Sequence, residues 1–278
     1  MVTRRSRFLP WQVAGQLTDR QQSADDVVQA TGWVFNNATD DTHTLADFVA
    51  SGDAEVAMYI DAFGLAGEKP EQQVLVEVGC GIGRMTSAFT RRFSCVYACD
   101  LDSGFLERCR EAVARYGRVD RLRTIHVPDG RMLDIPDAVA DLTFSYITLQ
   151  HCSRSDALSL VCESLRVLRE GGTVALNFRQ RVWGDVVLLP LGKAVRALFT
   201  VPGLGPWLSK HRAVTRVAWQ VNRLDPHHVL EPIREQVHDV VIWRNPRRTT
   251  PIWGAESAEL RYFESINPAH WWLVARRR

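Results

Sequence analysis

Hydrophobic and polar positions along this 278-residue chain change period in a repeating order. Short apolar runs at 74–78, 95–99, 122–127 and 140–146 read as buried strands, and segments with apolar residues every three to four positions read as helices at 85–93, 103–116 and 154–169. Strand alternating with helix predicts a parallel sheet covered on both faces. Ahead of it, 23–30 is a short helix and 45–63 a longer one, after the polar stretch 36–44. Beyond it, 223–236 reads as a helix with Pro226 in its first turn, followed by strands at 237–244 and 270–276 that an insertion at 245–269 separates. The stretch 181–222 is unusually apolar, and Pro190, Pro202 and Pro206 are expected to break any long helix there.

The junction at 74–89 carries the chemistry. A buried strand runs through Gly79, Gly81 and Gly83 into a helix, so the backbone can take conformations closed to other residues and a ligand can approach it closely. A dinucleotide fingerprint needs a third small residue at the end of G-x-G-x-x-G, where helix and strand close around a pyrophosphate. Here that position is Arg84. The G-x-G-x-G pattern suits a nucleoside ligand without a pyrophosphate. About twenty residues beyond Gly79, the second strand ends in Asp100, whose two oxygens can accept from both hydroxyls of a ribose.

These residues resemble the class I S-adenosylmethionine-dependent methyltransferases of the type 11 kind, and the resemblance runs in order from about residue 70 to 180. Asp129-Gly130 falls after the third strand, where the family places an acidic residue at the adenine. Residues 147–151 are similar to the segment bordering the methyl-donating end, and 163–178 to the family's helix, Gly-Gly turn and fifth strand. The resemblance implies a Rossmann-like, doubly wound α/β fold with a seven-stranded sheet whose last strand is antiparallel. It implies S-adenosyl-L-methionine as cofactor, held by Glu77, Gly79, Gly81, Gly83, Asp100, Leu101, Asp129, Gly130 and Tyr146. The expected organisation is a helical cap at 1–69, a cofactor core at 70–180, an inserted lid at 181–222 and the rest of the sheet at 223–278.

Composition fits one large soluble domain with 46% apolar residues. No apolar run reaches membrane-spanning length or forms a signal peptide, so the chain is expected in the cytoplasm. Six cysteines, at 80, 95, 99, 109, 152 and 162, form no C-x-x-C pair and read as reduced. No metal set stands out at ligand spacing. The net charge of +2 hides an excess of acid before residue 70 and of base after 180, where seven of the nine tryptophans also lie. Basic charge with aromatics fits nucleic acid, an anionic membrane or an acidic substrate, and equally a solvated face with a tryptophan-rich core. For 181–222 three readings stay open: a lid, a homodimer contact, or a segment lying in a membrane interface.

The function expected is methyl transfer to a small or amphipathic metabolite, glycosylated or lipid-linked forms included, at a hydroxyl. The alternatives are RNA or protein methylation, or a non-catalytic cofactor-binding or membrane-docking scaffold. Nucleic acid is disfavoured because no appended RNA-binding module and no N-P-P-Y-like motif is present. A hydroxyl acceptor gains from a general base, and His151, just beyond the fourth strand with an ordinary pKa of about 6.5, is the candidate. His227 and His228 come next, then His43.

Overall fold

The computed structural model describes residues 23–35, 44–199, 201, 204–209, 211–219, 221–247 and 258–278. They fall into two compact units. One comprises Ser23–Arg181 and Asn222–Arg278, and the described part of the other lies within Val182–Val221. His43 and Trp253 lie outside the described residues.

In chain order the first unit contains α1 (Ala24–Phe35), α2 (Leu45–Phe63), β1 (Val74–Val78), α3 (Thr86–Arg92), β2 (Cys95–Asp100), α4 (Ser103–Tyr116), β3 (Leu122–His126), β4 (Ala140–Ser145), α5 (Arg154–Arg166) and β5 (Leu168–Arg179). The second unit supplies α6 (Asp185–Phe199), α7 (Leu204–Ser209) and α8 (Arg212–Ala218). The first resumes with α9 (Pro226–Leu230), β6 (Val237–Arg244), β7 (Glu259–Tyr262) and β8 (His270–Arg277).

One sheet of eight strands runs in the order β3-β2-β1-β4-β5-β8-β6-β7. Strands β1 to β5 pair in parallel, and β8 is antiparallel to both β5 and β6. The predicted Rossmann-like α/β fold with an antiparallel last strand is therefore present, with eight strands where the sequence predicted seven. The added strand, β7, lies inside the expected insertion and pairs in parallel with β6 through Val241↔Glu259 to Arg244↔Tyr262. All four of its residues are exposed, and its Glu-Leu-Arg-Tyr alternation is only four residues long, the shortest run that signals a strand. Glu259 and Arg261 pair with each other along it, and such charge on an edge strand discourages pairing with other chains.

Period-two alternation sends side chains of β1 into two cores. Val76 and Val78 pack with α5, α9 and Trp271, while Leu75 packs with α2, α3, Phe144 and Trp272. Adjacent Trp271 and Trp272 thus point to opposite faces, both fully buried. Trp271 stacks on Phe178 at 4.7 Å and donates its indole N–H to the Leu224 carbonyl at 2.8 Å. A Thr44–Asp47 capping box opens α2, and Gly64 in a left-handed conformation closes it. Its bounds match the expectation, as do those of α4, which Asp102 caps by accepting from the Gly104 and Phe105 amides. The expected helix at 223–236 is shorter, a five-residue α9 followed by a 3-10 turn at Glu231–Gln236. The Gly-Gly pair at 171–172 sits inside β5, where pairing with β4 jumps from Ala140↔Leu168 to Leu142↔Thr173.

Candidate functional site

The carboxyl ends of β1, β2 and β4 form the cleft in which open α/β sheets bind ligands. At the end of β1 the Gly79 and Cys80 amides both donate to the Cys99 carbonyl, at 2.8 and 3.0 Å, which folds the loop across the end of β2. Gly79, Gly81 and Gly83 have φ of 83°, 54° and 89°, the left-handed region that penalises a side chain. At Gly79 space forbids one as well: a Cβ would lie 2.1 Å from the Thr148 methyl.

Asp100 is fixed within the loop. One carboxylate oxygen accepts from the Gly81 amide at 2.9 Å and the other from the Asp102 amide at 3.0 Å. The Leu101 amide also acts on this carboxylate; a carboxylate offers about four lone-pair positions, so room remains for a further donor. Burial pushes the Asp100 pKa up to about 6 despite these amides. Glu77, 4% exposed, sits behind the loop and accepts from the Thr86 hydroxyl at 2.6 Å, which joins β1 to the start of α3. Burial raises its pKa to about 7; Thr86 and Arg84 oppose the rise and Asp100 adds to it.

Leu101 and Gly130 come together beside this loop, since the position of a Gly130 Cβ lies 3.7 Å from the Leu101 side chain and meets nothing closer. The Val127 amide donates to the Asp100 carbonyl at 2.8 Å, which carries the β3 end to the β2 end. Asp129 is exposed and accepts from the Arg131 and Met132 amides through one oxygen, building its own turn and leaving the other oxygen outward.

Tyr146 closes the β4 side. It stacks on Trp272 with an interplanar angle of 9° and receives a 3.3 Å hydrogen bond from the Tyr59 hydroxyl. Burial lifts its pKa to about 12. The next residue, Ile147, has φ of 54°, an outlier for a β-branched residue and a form of strain that clusters at functional sites.

The contribution of α2 is not anticipated from the sequence. Gly52, Glu55 and Tyr59 follow the helical repeat along one face of it. A Cβ on Gly52 would stand 2.2 Å from the Arg84 carbonyl oxygen, and Glu55 pairs with the Arg84 guanidinium at 2.6 Å. Arg84, where a dinucleotide fold has a small residue, is thereby the anchor between α2 and the glycine loop. The helical spacing of 52, 55 and 59 was visible, but nothing in it named the partner.

His151 ends the 3-10 turn Leu149–His151, half-buried, with its Nε2 at 3.2 Å from the Gln150 amide nitrogen. Asn222 holds that turn by donating to the Leu149 and Cys152 carbonyls at 2.7 and 2.8 Å. His270, opposite Arg179 in the β5–β8 register, is buried, and its pKa falls to about 3 through burial first, then Arg179, His151 and Arg223. A cationic neighbourhood therefore surrounds the carboxyl end of β5. His227 and His228 form a different cluster with Asp225, their ligand atoms within 4.8 Å of one another. That grouping was not anticipated; Arg154 acts on His228 there and, with burial, lowers its pKa.

Comparison with known proteins agrees with this geometry. Residues 76–176 match the family described as "Methyltransferase domain". A malonyl-[acyl-carrier protein] O-methyltransferase of Serratia marcescens is 30% identical over 161 residues, covering 56% of this chain. The chain spans 55% of that relative's length. Magnesium protoporphyrin IX methyltransferase of Synechocystis, solved with SAH, shares the fold at TM-score 0.51 and 13% identity, covering 91% of this chain and 98% of its own. Geranyl diphosphate C-methyltransferase of Streptomyces coelicolor also superposes at TM-score 0.51, with 14% identity and 86% of each chain covered. Residues 76–176 thus match the methyltransferase-domain family in sequence, and the chain shares the fold of solved methyltransferases beyond them.

Proposed function

We propose that the protein transfers a methyl group from S-adenosyl-L-methionine to an oxygen of a small or amphipathic metabolite. The observation that carries the cofactor half is Asp100: a desolvated carboxylate at the end of β2, oriented by the Gly81, Leu101 and Asp102 amides beside an open glycine loop. A ribose hydroxyl would donate to the acceptor position that remains. Leu101 and Gly130 would flank the adenine, Asp129 would accept from its amino group, and Glu77 would keep the loop in shape through Thr86. When bound, the cofactor supplies an electrophilic methyl on a sulfonium, and the protein's part is alignment and protonic control.

Tyr146 and Tyr59 would present hydroxyls at the acceptor side, held by the Trp272 stack. His151 would take the proton from an acceptor hydroxyl. Arg179 and Arg223 would stabilise an oxyanion nucleophile and favour an acceptor bearing an anionic group, while His270, with its pKa lowered to about 3, stays neutral beside them. The relative's name, an O-methyltransferase, supports oxygen as the acceptor atom. All six cysteines are free thiols, which supports a reducing, cytoplasmic setting.

The test is transfer of isotope-labelled methyl to a panel of hydroxyl and carboxylate acceptors, read by mass spectrometry. O-methyl product that His151→Ala lowers by about a hundredfold or more, without loss of cofactor affinity, supports the reading. Label found only in RNA or protein, or no transfer to any acceptor by protein that binds the cofactor, overturns it.

A further inference from the structure

The second unit presents an apolar face to solvent. α6 runs unbroken from Asp185 to Phe199 with Pro190 inside it, contrary to the expectation that this proline would end the helix. Pro190 is exposed. At about 100° per residue, the buried positions Asp185, Gly192 and Phe199 share one side. The opposite side carries Val186, Val187, Leu191 and Leu198, which are 74, 68, 47 and 46% exposed. Only Lys193, at its margin, interrupts the apolar character of that arc. Trp183, just ahead of the helix, is 93% exposed, and Trp207 in α7 is 57% exposed. An ordinary surface helix is polar on its outer face; this one is inverted.

Charge names the partner. From Val186 to Val221 the chain has no aspartate or glutamate, and it carries Lys193, Arg196, Lys210, Arg212 and Arg216, of which Lys193 and Arg216 are exposed. The nearest acid, Asp185, is buried and accepts from the Val182 amide at 2.7 Å. A second copy of this face would bring like charges together with no carboxylate to offset them. An anionic bilayer offers both what the apolar arc and what its cations need, with exposed tryptophans suited to the headgroup boundary. Among the described residues no helix is long and apolar enough to cross a membrane, so the helix would lie in the interface plane.

We propose that the exposed face of α6, with Trp183, docks the protein on an anionic lipid surface. This stands whether or not the acceptor reading holds. The test is flotation of the full chain with vesicles of pure phosphatidylcholine and of phosphatidylcholine mixed with phosphatidylglycerol. Wild type should bind the mixed vesicles, release with added salt and shift its tryptophan emission to the blue. The double substitution Val187→Asp, Leu191→Asp lies on exposed positions and should weaken binding by at least about tenfold, while Lys193→Glu should weaken it and reduce its salt dependence. No wild-type binding to anionic vesicles, or unchanged binding by the double variant, overturns the proposal. A wild-type dimer that the double substitution turns into monomer, without vesicle binding, assigns the face to self-association instead.

Discussion

Gly52→Ala sets two effects of opposite sign against each other. In the interior of an exposed helix this change stabilises by about 1 kcal/mol, because alanine is the better helix former. In α2 the new methyl would stand 2.2 Å from the Arg84 carbonyl oxygen and 2.6 Å from its carbonyl carbon, both main-chain atoms of the cofactor loop. Ordinary contact needs roughly 1 Å more, so either α2 or the loop must move, and forced overpacking of this kind costs about 1–3 kcal/mol. The clash falls on backbone rather than on a side-chain tip, which places the cost at the upper end. A net loss of about 1–2 kcal/mol follows, a fall in Tm of about 2–8 °C for a chain of this size. Cofactor affinity should fall with it, since Arg84 follows directly on Gly83. Urea denaturation and calorimetric titration of the same preparations read both effects. A Gly52→Ala protein more stable than wild type by about 1 kcal/mol, with unchanged affinity, would refute the packing of α2 on the loop.

The remaining predictions concern charge and the acceptor end. Asp100 and Glu77 have native pKa values near 6 and 7, above their ordinary 3.8 and 4.5, so the folded state binds more protons than the unfolded chain between about pH 4 and 7. Their contribution to ligand-free stability is therefore present at low pH and lost as pH rises through that window; urea midpoints of Asp100→Asn and Glu77→Gln should show a weaker decline over it than wild type. Ribose hydroxyls donate to the ionised form, so cofactor affinity should rise with pH through about 6, and Asp100→Asn should flatten that rise. Tyr59→Phe removes the bond to Tyr146 without changing shape and should cost about 1 kcal/mol of stability; with acceptor turnover in hand, its effect should appear in the acceptor KM more than in cofactor affinity.

How far the sequence reveals this molecule follows from burial. Strands β1, β2 and β4 lie between two helical layers, so they appear as continuous apolar runs, and the glycine loop with Asp100 is local enough to be read as one motif. Strand β7 is fully exposed and partnered on one edge, and its Glu-Leu-Arg-Tyr alternation is too short to stand out from the surrounding loop. The contribution of α2 is hidden for a different reason: Glu55–Arg84 and Gly52 against Arg84 span about thirty residues, and such contacts leave no periodicity. Trp271 and Trp272 are informative only once the strand direction is known, since alternation sends one ring to each core. Pro190 misleads because an internal proline can kink a helix without ending it, so the residue alone does not fix a boundary.

If Asp100 and the glycine loop hold the ribose of S-adenosylmethionine, calorimetric titration of S-adenosylmethionine and S-adenosylhomocysteine into wild type, Asp100→Asn and Asp100→Ala should show it. Both ligands should bind wild type in the low-micromolar range and lose about tenfold or more, roughly 1.4 kcal/mol, in each variant. No binding of either ligand to folded wild type, or equal binding by folded Asp100→Ala, would contradict it.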